Sequence, residues 1–307
     1  MTIADITPIR LSLVDTDLAA AAAAFGDAFS RTGFAVVSDH GIAQDLIDRA
    51  LAATRALFAL PAATKAGYVI PGGGGQRGMT AFGIEAAKGA DRADLKEFWH
   101  VGRDLPSGHH FAATMPPNIW PAEVPAFHPA VSALYDALDT AGRRMLRAIA
   151  VHLGLAPDFF DEPVAEGNSI LRLLHYPPVR NAEAGAIRAG AHEDINVITL
   201  LLGAEEAGLQ LLARDGEWHD VSAPEGSLVC NIGDMLQRLT GGRLPSTTHR
   251  VVNPVPERAA FPRYSTPFFL HFRPDYCIET MPGDVFDAAP ITADNYLRER
   301  LRELKVR

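Results

Sequence analysis

A mainly β core ringed by helices and preceded by a mixed α/β region, an α+β fold overall, is the architecture this 307-residue sequence predicts. Three observations carry that expectation. From Ser169 onward, seven short apolar runs follow one another with turn residues between them, the texture of a barrel or sandwich. Residues 1–60 instead alternate strand-like and helix-like patterns, and residues 129–155 hold one long amphipathic pattern. The organisation expected is therefore an N-terminal mixed region over residues 1–120 and a scaffold helix plus β core over residues 121–307, packed as one unit.

Each element has its own signal. "ITPIRLSL" alternates like a short strand, and "DTDLAAAAAAFGDAFSRTG" supplies an acidic start, an alanine run and a glycine stop, as a helix requires. "FAVVSDHGI" reads as a buried strand ending in a turn. In "AQDLIDRALAATRALFALP", Leu46, Ala50, Leu51, Leu57 and Phe58 recur near the helical period before Pro61 stops the helix. "IPGGGGQRGMTAFG" lacks both the Lys-Ser/Thr ending of a phosphate loop and the GxGxxG spacing of a dinucleotide site, so it reads as a flexible connection. "PAVSALYDALDTAGRRMLRAIAVHLGL" is the scaffold helix. The β runs are "SILRLLHYPP", "VITLLL", "GLQLLA", "EWHDV", "SLVCNIG", "THRVV" and "YSTPFFLHF". Last, "TADNYLRERLRELKVR" has a threonine cap and places Tyr296, Leu297, Leu301 and Leu304 on one side, predicting a docked C-terminal helix.

Composition narrows the function classes. Apolar residues make up 48% of the chain and charged residues 21%, with no stretch near the roughly 18 to 20 uncharged apolar residues of a membrane span. The opening "MTIADITPIR" has no secretory pattern and only Cys230 and Cys277 are present, so a cytoplasmic protein without structural disulfides is expected. A net charge of -9 with no lysine or arginine cluster argues against a nucleic-acid partner. Chemistry on a small-molecule substrate remains.

The chemistry concentrates in "GAHEDINVITLLL". In an extended strand His192 and Asp194 share one face, while Glu193 points away and reads as ordinary surface. A carboxylate buried before an apolar run is costly unless a cation partners it. His249 in "STTHRVVNP", 57 residues downstream, offers a third donor. Two imidazoles and one carboxylate occupy one face of an octahedral ion and leave three positions open, the arrangement of non-haem Fe(II) oxygenases. H-x-D with a distant histidine is a weak pattern among eleven histidines. "RYS" strengthens it, because Arg263 and Ser265 share a strand face and together suit a carboxylate anchor.

"HEDINVITLLL", "GLQLL", "GSLVCNIGDMLQRLTGGRLPSTTHRVVNP" and "RYSTPFFLHF" together resemble the isopenicillin N synthase-like family of Fe(II)- and 2-oxoglutarate-dependent oxygenases. "GFAVVSDHGI" and "RGMTAFGIEAAKGADRADLKEFWHVG" are similar to that family too, in the same order, from Ile6 to Thr280. The resemblance implies a distorted double-stranded β-helix, or jelly roll, with flanking helices. It implies Fe(II) at His192, Asp194 and His249, with Arg263, Ser265 and Tyr176 holding the distal carboxylate of 2-oxoglutarate. His175 and Asn231 are further polar candidates. One departure is Leu174, which stands where plant members commonly have asparagine. The implied reaction consumes O2 and 2-oxoglutarate, releases succinate and carbon dioxide, and by default hydroxylates the substrate.

Substrate would lie between the barrel mouth and the N-terminal half, with Arg77, Phe98, Trp99, Arg188, His271 and Phe272 as candidate residues, and Phe82 and His100 beside them. If Arg77 or Arg188 faces the iron, a substrate carboxylate is its natural partner. Rival readings are a family oxidase that does not use 2-oxoglutarate, an ethylene-forming member, and a non-catalytic metal-dependent binding protein. A zinc hydrolase is disfavoured, because Asn196 stands where an HExxH pattern would place its second histidine.

Overall fold

A computed structural model of the chain describes residues 7–85, 93–178, 187–202, 208–282, 286 and 288–303. The N-terminal half runs β1 (Ile9–Arg10), α1 (Leu13–Thr16), α2 (Leu18–Thr32), β2 (Phe34–Ser38), α3 (Gln44–Phe58), α4 (Ala62–Ala66), β3 (Gly78–Thr80) and β4 (Glu97–Gly102). After α5 (Phe127–His152) and α6 (Asp161–Ala165) come β5 (Ile170–Tyr176), β6 (Ala189–His192), β7 (Ile198–Leu202), β8 (Leu209–Leu212), β9 (Trp218–Asp220) and β10 (Leu228–Ile232). The chain continues through α7 (Asp234–Leu239), β11 (His249–Val251), β12 (Arg263–Ser265), β13 (Pro267–Leu270), β14 (Cys277–Ile278), β15 (Ile291–Thr292) and α8 (Ala293–Glu303).

Two sheets form the jelly-roll core. The larger has nine strands, in the order β1-β2-β10-β7-β13-β5-β4-β3, with β12 also pairing β5. The smaller has four, in the order β6-β11-β8-β9. Apart from the parallel β1–β2 pair, neighbours are antiparallel. Because β2 pairs β10 and β4 pairs β5, residues before and after position 120 complete the same sheet.

The helices pack on the larger sheet for reasons visible in their residues. Asp17 caps α2 by accepting from the Ala20 amide at 3.0 Å, and Gly33, at φ 70°, ends it by donating to the Phe29 carbonyl. Helix α5 buries Leu134, Leu138, Met145 and Ile149 along one stripe. Its Gly142 permits a close approach to the sheet, since a Cβ there would meet Leu270 at 2.6 Å. One large apolar cluster joins α2, α3 and α5 to the nine-stranded sheet, while Phe34, Ala189, Leu209, Leu211, Val221, Val229 and Val251 form a smaller one between the sheets.

Several expectations change. His192 and Asp194 do not share a strand that runs on into "VITLLL": β6 ends at His192, Asp194 lies in the loop, and β7 starts in the other sheet. Asn196 builds the crossing, its side-chain amide donating to the Ile198 carbonyl and to Thr199 Oγ1. "YSTPFFLHF" splits into β12 and β13, since the chain leaves β5 after Ser265 and resumes between β5 and β7 at Pro267. The glycine-rich connection contains β3, and α7 and β4 were not foreseen. On α8, Tyr296 and Leu297 pack against the core, Leu301 is exposed, and Leu304 lies outside the described residues. Among the described residues no helix is long and apolar enough to cross a membrane.

Candidate active site

His192 and His249 face each other directly across the β6–β11 pair, their ring centroids 4.5 Å apart. Each Nδ1 is spoken for by a carbonyl two residues earlier, Gly190 at 2.7 Å and Thr247 at 3.0 Å. That fixes the tautomer and leaves both Nε2 lone pairs directed at Asp194, each 3.8 Å from one of its carboxylate oxygens. Asp194 Oδ2 accepts from Thr199 Oγ1 at 2.5 Å and from Asn231 Nδ2 at 2.8 Å. The Asp194 carbonyl accepts the Asp234 amide at 2.7 Å, anchoring the loop to the start of α7. Gly233 is required there by close approach, since a Cβ would come within 2.1 Å of Asn196.

The electrostatics suit a cation. Burial, reinforced by neighbouring His249, pushes the His192 imidazole down to about 4. Burial alone would raise the Asp194 carboxyl, but the two imidazoles and the Asn231 and Thr199 hydrogen bonds hold it below its ordinary value. A neutral His192 imidazole and an ionised carboxylate are the forms that ligate metal. The three donor atoms lie within 4.8 Å of one another, and the donor set fits Fe(II). His109, His110 and Glu166 also converge within 4.8 Å, but His110 and Glu166 are exposed and the His109 Nδ1 already accepts the Phe111 amide.

Arg263 and Ser265 on β12 lie opposite Tyr176 and Leu174 of β5. All four are buried, and the Arg263 guanidinium stands 5.3 Å from the Tyr176 ring centroid. A guanidinium and two hydroxyls form a donor set that fits a carboxylate. Arg188, expected beside the substrate, sits with this group, 5.8 Å from the same ring. Leu174 packs with Phe98 and Tyr176 in a small apolar cluster. His175 points to the opposite face of β5, where it bonds Glu97 and stacks on Tyr264. Asn231, by contrast, touches the iron-side carboxylate.

A cavity of about 420 Å³ opens beside the His192 and Asp194 side chains. Strand alternation decides which candidates reach it. Phe98 and His100 on β4 line it, whereas Trp99 between them turns into the core against Tyr68 and Phe127. Arg77 and His271 line it; Phe272 stacks instead on Phe160 and Tyr276, and Phe82 is exposed away from it. Phe269 and Ile170, which line it, belong to one register row in which Phe34, Asn231, Thr199, Phe269, Ile170 and Gly102 lie side by side across six strands. Asp194 bonds to Asn231 and Thr199 at one part of this row.

Sequence reasoning missed a charged wall. Lys96 lies 2.7 Å from both Glu85 and Asp94, and Arg172 bonds Glu85 at 3.1 Å and His100 Nε2 at 2.6 Å. Burial raises the Glu85 carboxyl, yet Arg172 and Lys96 outweigh it and hold Glu85 well below the carboxylate range. Asp94 also accepts the Gly190 amide at 2.9 Å, tying this segment to the strand that carries His192. The available signal was the Asp94-x-Lys96 spacing, which sets opposite charges two residues apart in the segment leading into β4. Glu193 is exposed, as expected, and in addition accepts Thr248 Oγ1 at 2.6 Å, next to His249, at the rim of the cavity. Leu297, Arg300 and Leu301 of α8 close the same cavity from outside.

Comparison with known proteins agrees with this geometry. Residues 4–123 match the family described as non-haem dioxygenase in morphine synthesis N-terminal, and residues 167–272 match the 2OG-Fe(II) oxygenase superfamily. A 2-oxoglutarate-Fe(II) type oxidoreductase of Emericella nidulans is 31% identical over 281 residues, covering 87% of this chain and 79% of its own. A Caulobacter crescentus structure assigned to the 2OG-Fe(II) oxygenase family superposes with a TM-score of 0.90 at 54% identity over 99% of both chains. Full-length Neurospora crassa T7H, in complex with alpha-KG and thymine, superposes with a TM-score of 0.84 at 29% identity, covering 98% of this chain and 99% of its own.

Proposed function

The chain belongs to the isopenicillin N synthase-like family of Fe(II)- and 2-oxoglutarate-dependent oxygenases and is a 2-oxoglutarate-dependent dioxygenase, and we propose a role for each residue of its site. His192, Asp194 and His249 hold the iron. Arg263, Ser265 and Tyr176 take the distal carboxylate of 2-oxoglutarate, with Arg188 beside them. Arg77, Phe98, His100 and His271 face a small organic substrate that is hydroxylated. The observation that carries this reading is the convergence of two Nε2 lone pairs on a carboxylate whose second oxygen is already bonded to Thr199 and Asn231.

When bound, the iron and 2-oxoglutarate supply an oxidation in which dioxygen converts the keto acid to succinate and carbon dioxide and delivers one oxygen atom to a substrate C–H bond. The chain's own task is placement. Gly190 and Thr247 hold the imidazoles in register, and Thr199 and Asn231 stop the Asp194 carboxylate from rotating away. The Arg263 guanidinium and the Ser265 hydroxyl orient the cosubstrate by hydrogen bonds that no neutral apolar pair could replace. Phe269 and Ile170 give the substrate an apolar floor, and α8 keeps bulk water from it. We place this activity in the cytoplasm, a reading supported by free Cys230 and Cys277.

The test is uncoupled turnover of 2-oxoglutarate by the Fe(II)-loaded chain, following succinate and oxygen together. Succinate should form one for one with oxygen consumed, and Asp194→Ala and His249→Ala should abolish both. Unaltered succinate formation in either variant would reject the ligand assignment.

A further inference from the structure

His192 is held at an irregular place in the small sheet. Its strand, β6, is the outer strand of the order β6-β11-β8-β9, so among the described residues one side of it has no strand neighbour. On the other side the ladder to β11 slips. His249 lies opposite His192 and Val251 opposite Ala189, so three steps along β6 face two along β11. The bulge falls on Gly190 and Ala191, where the strands no longer pair residue for residue. Yet the Gly190 carbonyl is the group that accepts the His192 Nδ1–H at 2.7 Å. Glycine in a bulge has wide conformational freedom, and a metal ligand oriented by it needs a second hold.

That hold comes from the segment ahead of β4. Asp94 Oδ1 accepts the Gly190 amide at 2.9 Å, and the Leu95 amide donates to the Ile187 carbonyl at 3.2 Å. These two residues cover the open edge of β6 much as a partner strand would. Asp94 is 6% exposed, and a carboxylate buried to that extent is costly unless its oxygens are engaged. Its other oxygen, Oδ2, meets the Lys96 ammonium at 2.7 Å. Lys96 is as deeply buried and also meets Glu85 at 2.7 Å, while Glu85 pairs with Arg172 at 3.1 Å. Burial alone would lower the Lys96 ammonium, but Glu85 and Asp94 outweigh it and hold it above its ordinary value. Each charge is compensated within the wall, which lets a carboxylate be buried against a backbone amide.

We propose that Asp94 is a positioning residue for the iron: by fixing the Gly190 amide it steadies the carbonyl that orients the His192 imidazole, and Lys96 keeps the carboxylate aimed at that amide. This rests on the reading of the iron site given above. Without an acceptor at position 94, Gly190 turns more freely and the His192 Nε2 is less often directed at the metal position. Asp194 and His249 keep their own holds, from Thr199, Asn231 and the Thr247 carbonyl. The loss is therefore confined to one ligand of three.

The experiment compares two variants that differ only in that acceptor. Both carry Lys96→Met, so that the ammonium leaves together with the Asp94 charge. One adds Asp94→Asn, whose side-chain oxygen still accepts the Gly190 amide; the other adds Asp94→Leu, of similar shape without the oxygen. Fe(II) affinity of each full chain is measured anaerobically by competition with a chelator, with Tm and the Fe(II)–2-oxoglutarate charge-transfer band recorded at saturation. The Asp94→Asn variant should bind Fe(II) close to the wild type. The Asp94→Leu variant should bind it about 10- to 100-fold more weakly and shift the band, at a Tm no lower than that of its Asp94→Asn counterpart. A merely structural role would make affinity follow Tm. Equal affinities and bands in the two variants overturn the proposal, and so does a weaker affinity in Asp94→Leu that is matched by a lower Tm. Absence of the band in the wild type would instead reject the underlying reading of the iron site, and the proposal with it.

Discussion

The two sheets of this molecule divide the labour unequally. The nine-stranded sheet is sealed by α2, α3 and α5 into one large apolar cluster, and its central strands β7, β10 and β13 are buried almost throughout. The four-stranded sheet is built from strands of three or four residues over a much smaller cluster, yet it carries both histidines of the site. Asp194 lies on the loop that joins the two sheets, braced by Thr199 and Asn231 of the larger one. The larger sheet therefore holds none of the three ligands; it holds the side chains that orient Asp194. A short, lightly packed sheet can present two imidazoles because their geometry is set by local carbonyl bonds, while bracing from across the barrel sets the carboxylate between them.

That division predicts a graded set of outcomes. The largest effect should follow removal of a ligand: His192→Ala, Asp194→Ala or His249→Ala should abolish iron binding and turnover while leaving thermal stability nearly intact, measured by metal analysis beside calorimetry. A collapse of the fold in His192→Ala would show that the small sheet carries more of the stability than its packing suggests. Next come matched core truncations. Leu200 on β7 and Leu211 on β8 are both buried, but Leu200 is enclosed by α5 as well as by its own sheet. Leu200→Ala should cost about 4 to 5 kcal/mol and Leu211→Ala about 2 to 3 kcal/mol by denaturant unfolding. Equal costs would dissolve the contrast.

A third outcome concerns the border between the two. His271 follows β13 of the large sheet but lines the cavity, and burial pushes its imidazole down to about 4. A histidine whose folded value is depressed binds its proton less readily in the native state than in the unfolded one. Its favourable contribution is present above about 6.5 and is lost as pH falls from 6.5 toward 4, by up to about 3 kcal/mol. His271→Asn should flatten the wild-type stability profile across that window, and a profile with unchanged slope would count against a buried neutral imidazole there. The smallest effect belongs to the brace. Asn231→Ala should weaken iron binding by about 10- to 100-fold with little change in fold, read by competition with a chelator.

Much of this division was legible in the sequence, and what was not has identifiable causes. The strands of the large sheet announce themselves because burial on both faces demands continuous apolar runs, as in "VITLLL" and "SLVCNIG". His192, Asp194 and His249 were found by spacing even though the geometry behind it was mistaken: Asp194 reaches the site from a loop, not from the strand face it was expected to share. The error came from treating "HEDINV" as extended, when Asn196 turns the chain by satisfying backbone and Thr199 groups locally. Trp99 and Phe272 were candidates through the position of their segments at the barrel mouth, and strand alternation sends Trp99 to the core face. The charged wall of Glu85, Asp94 and Lys96 went unremarked in the sequence because ion pairing compensates burial only in three dimensions, which no local pattern reports. Arg77 was singled out, but its isolation among paired charges is a property of the folded cavity.

The central claim is that two histidines from the weaker sheet and one aspartate braced by the stronger one together bind iron in a form that accepts 2-oxoglutarate. Its most direct test is anaerobic addition of Fe(II) and then 2-oxoglutarate to the purified chain, watched for the metal-to-ligand charge-transfer band. The band should appear in the wild type, persist at weakened iron affinity in Asn231→Ala, and be absent in His192→Ala and Asp194→Ala. A wild-type sample without the band, or an undiminished band in either ligand variant, would contradict the account.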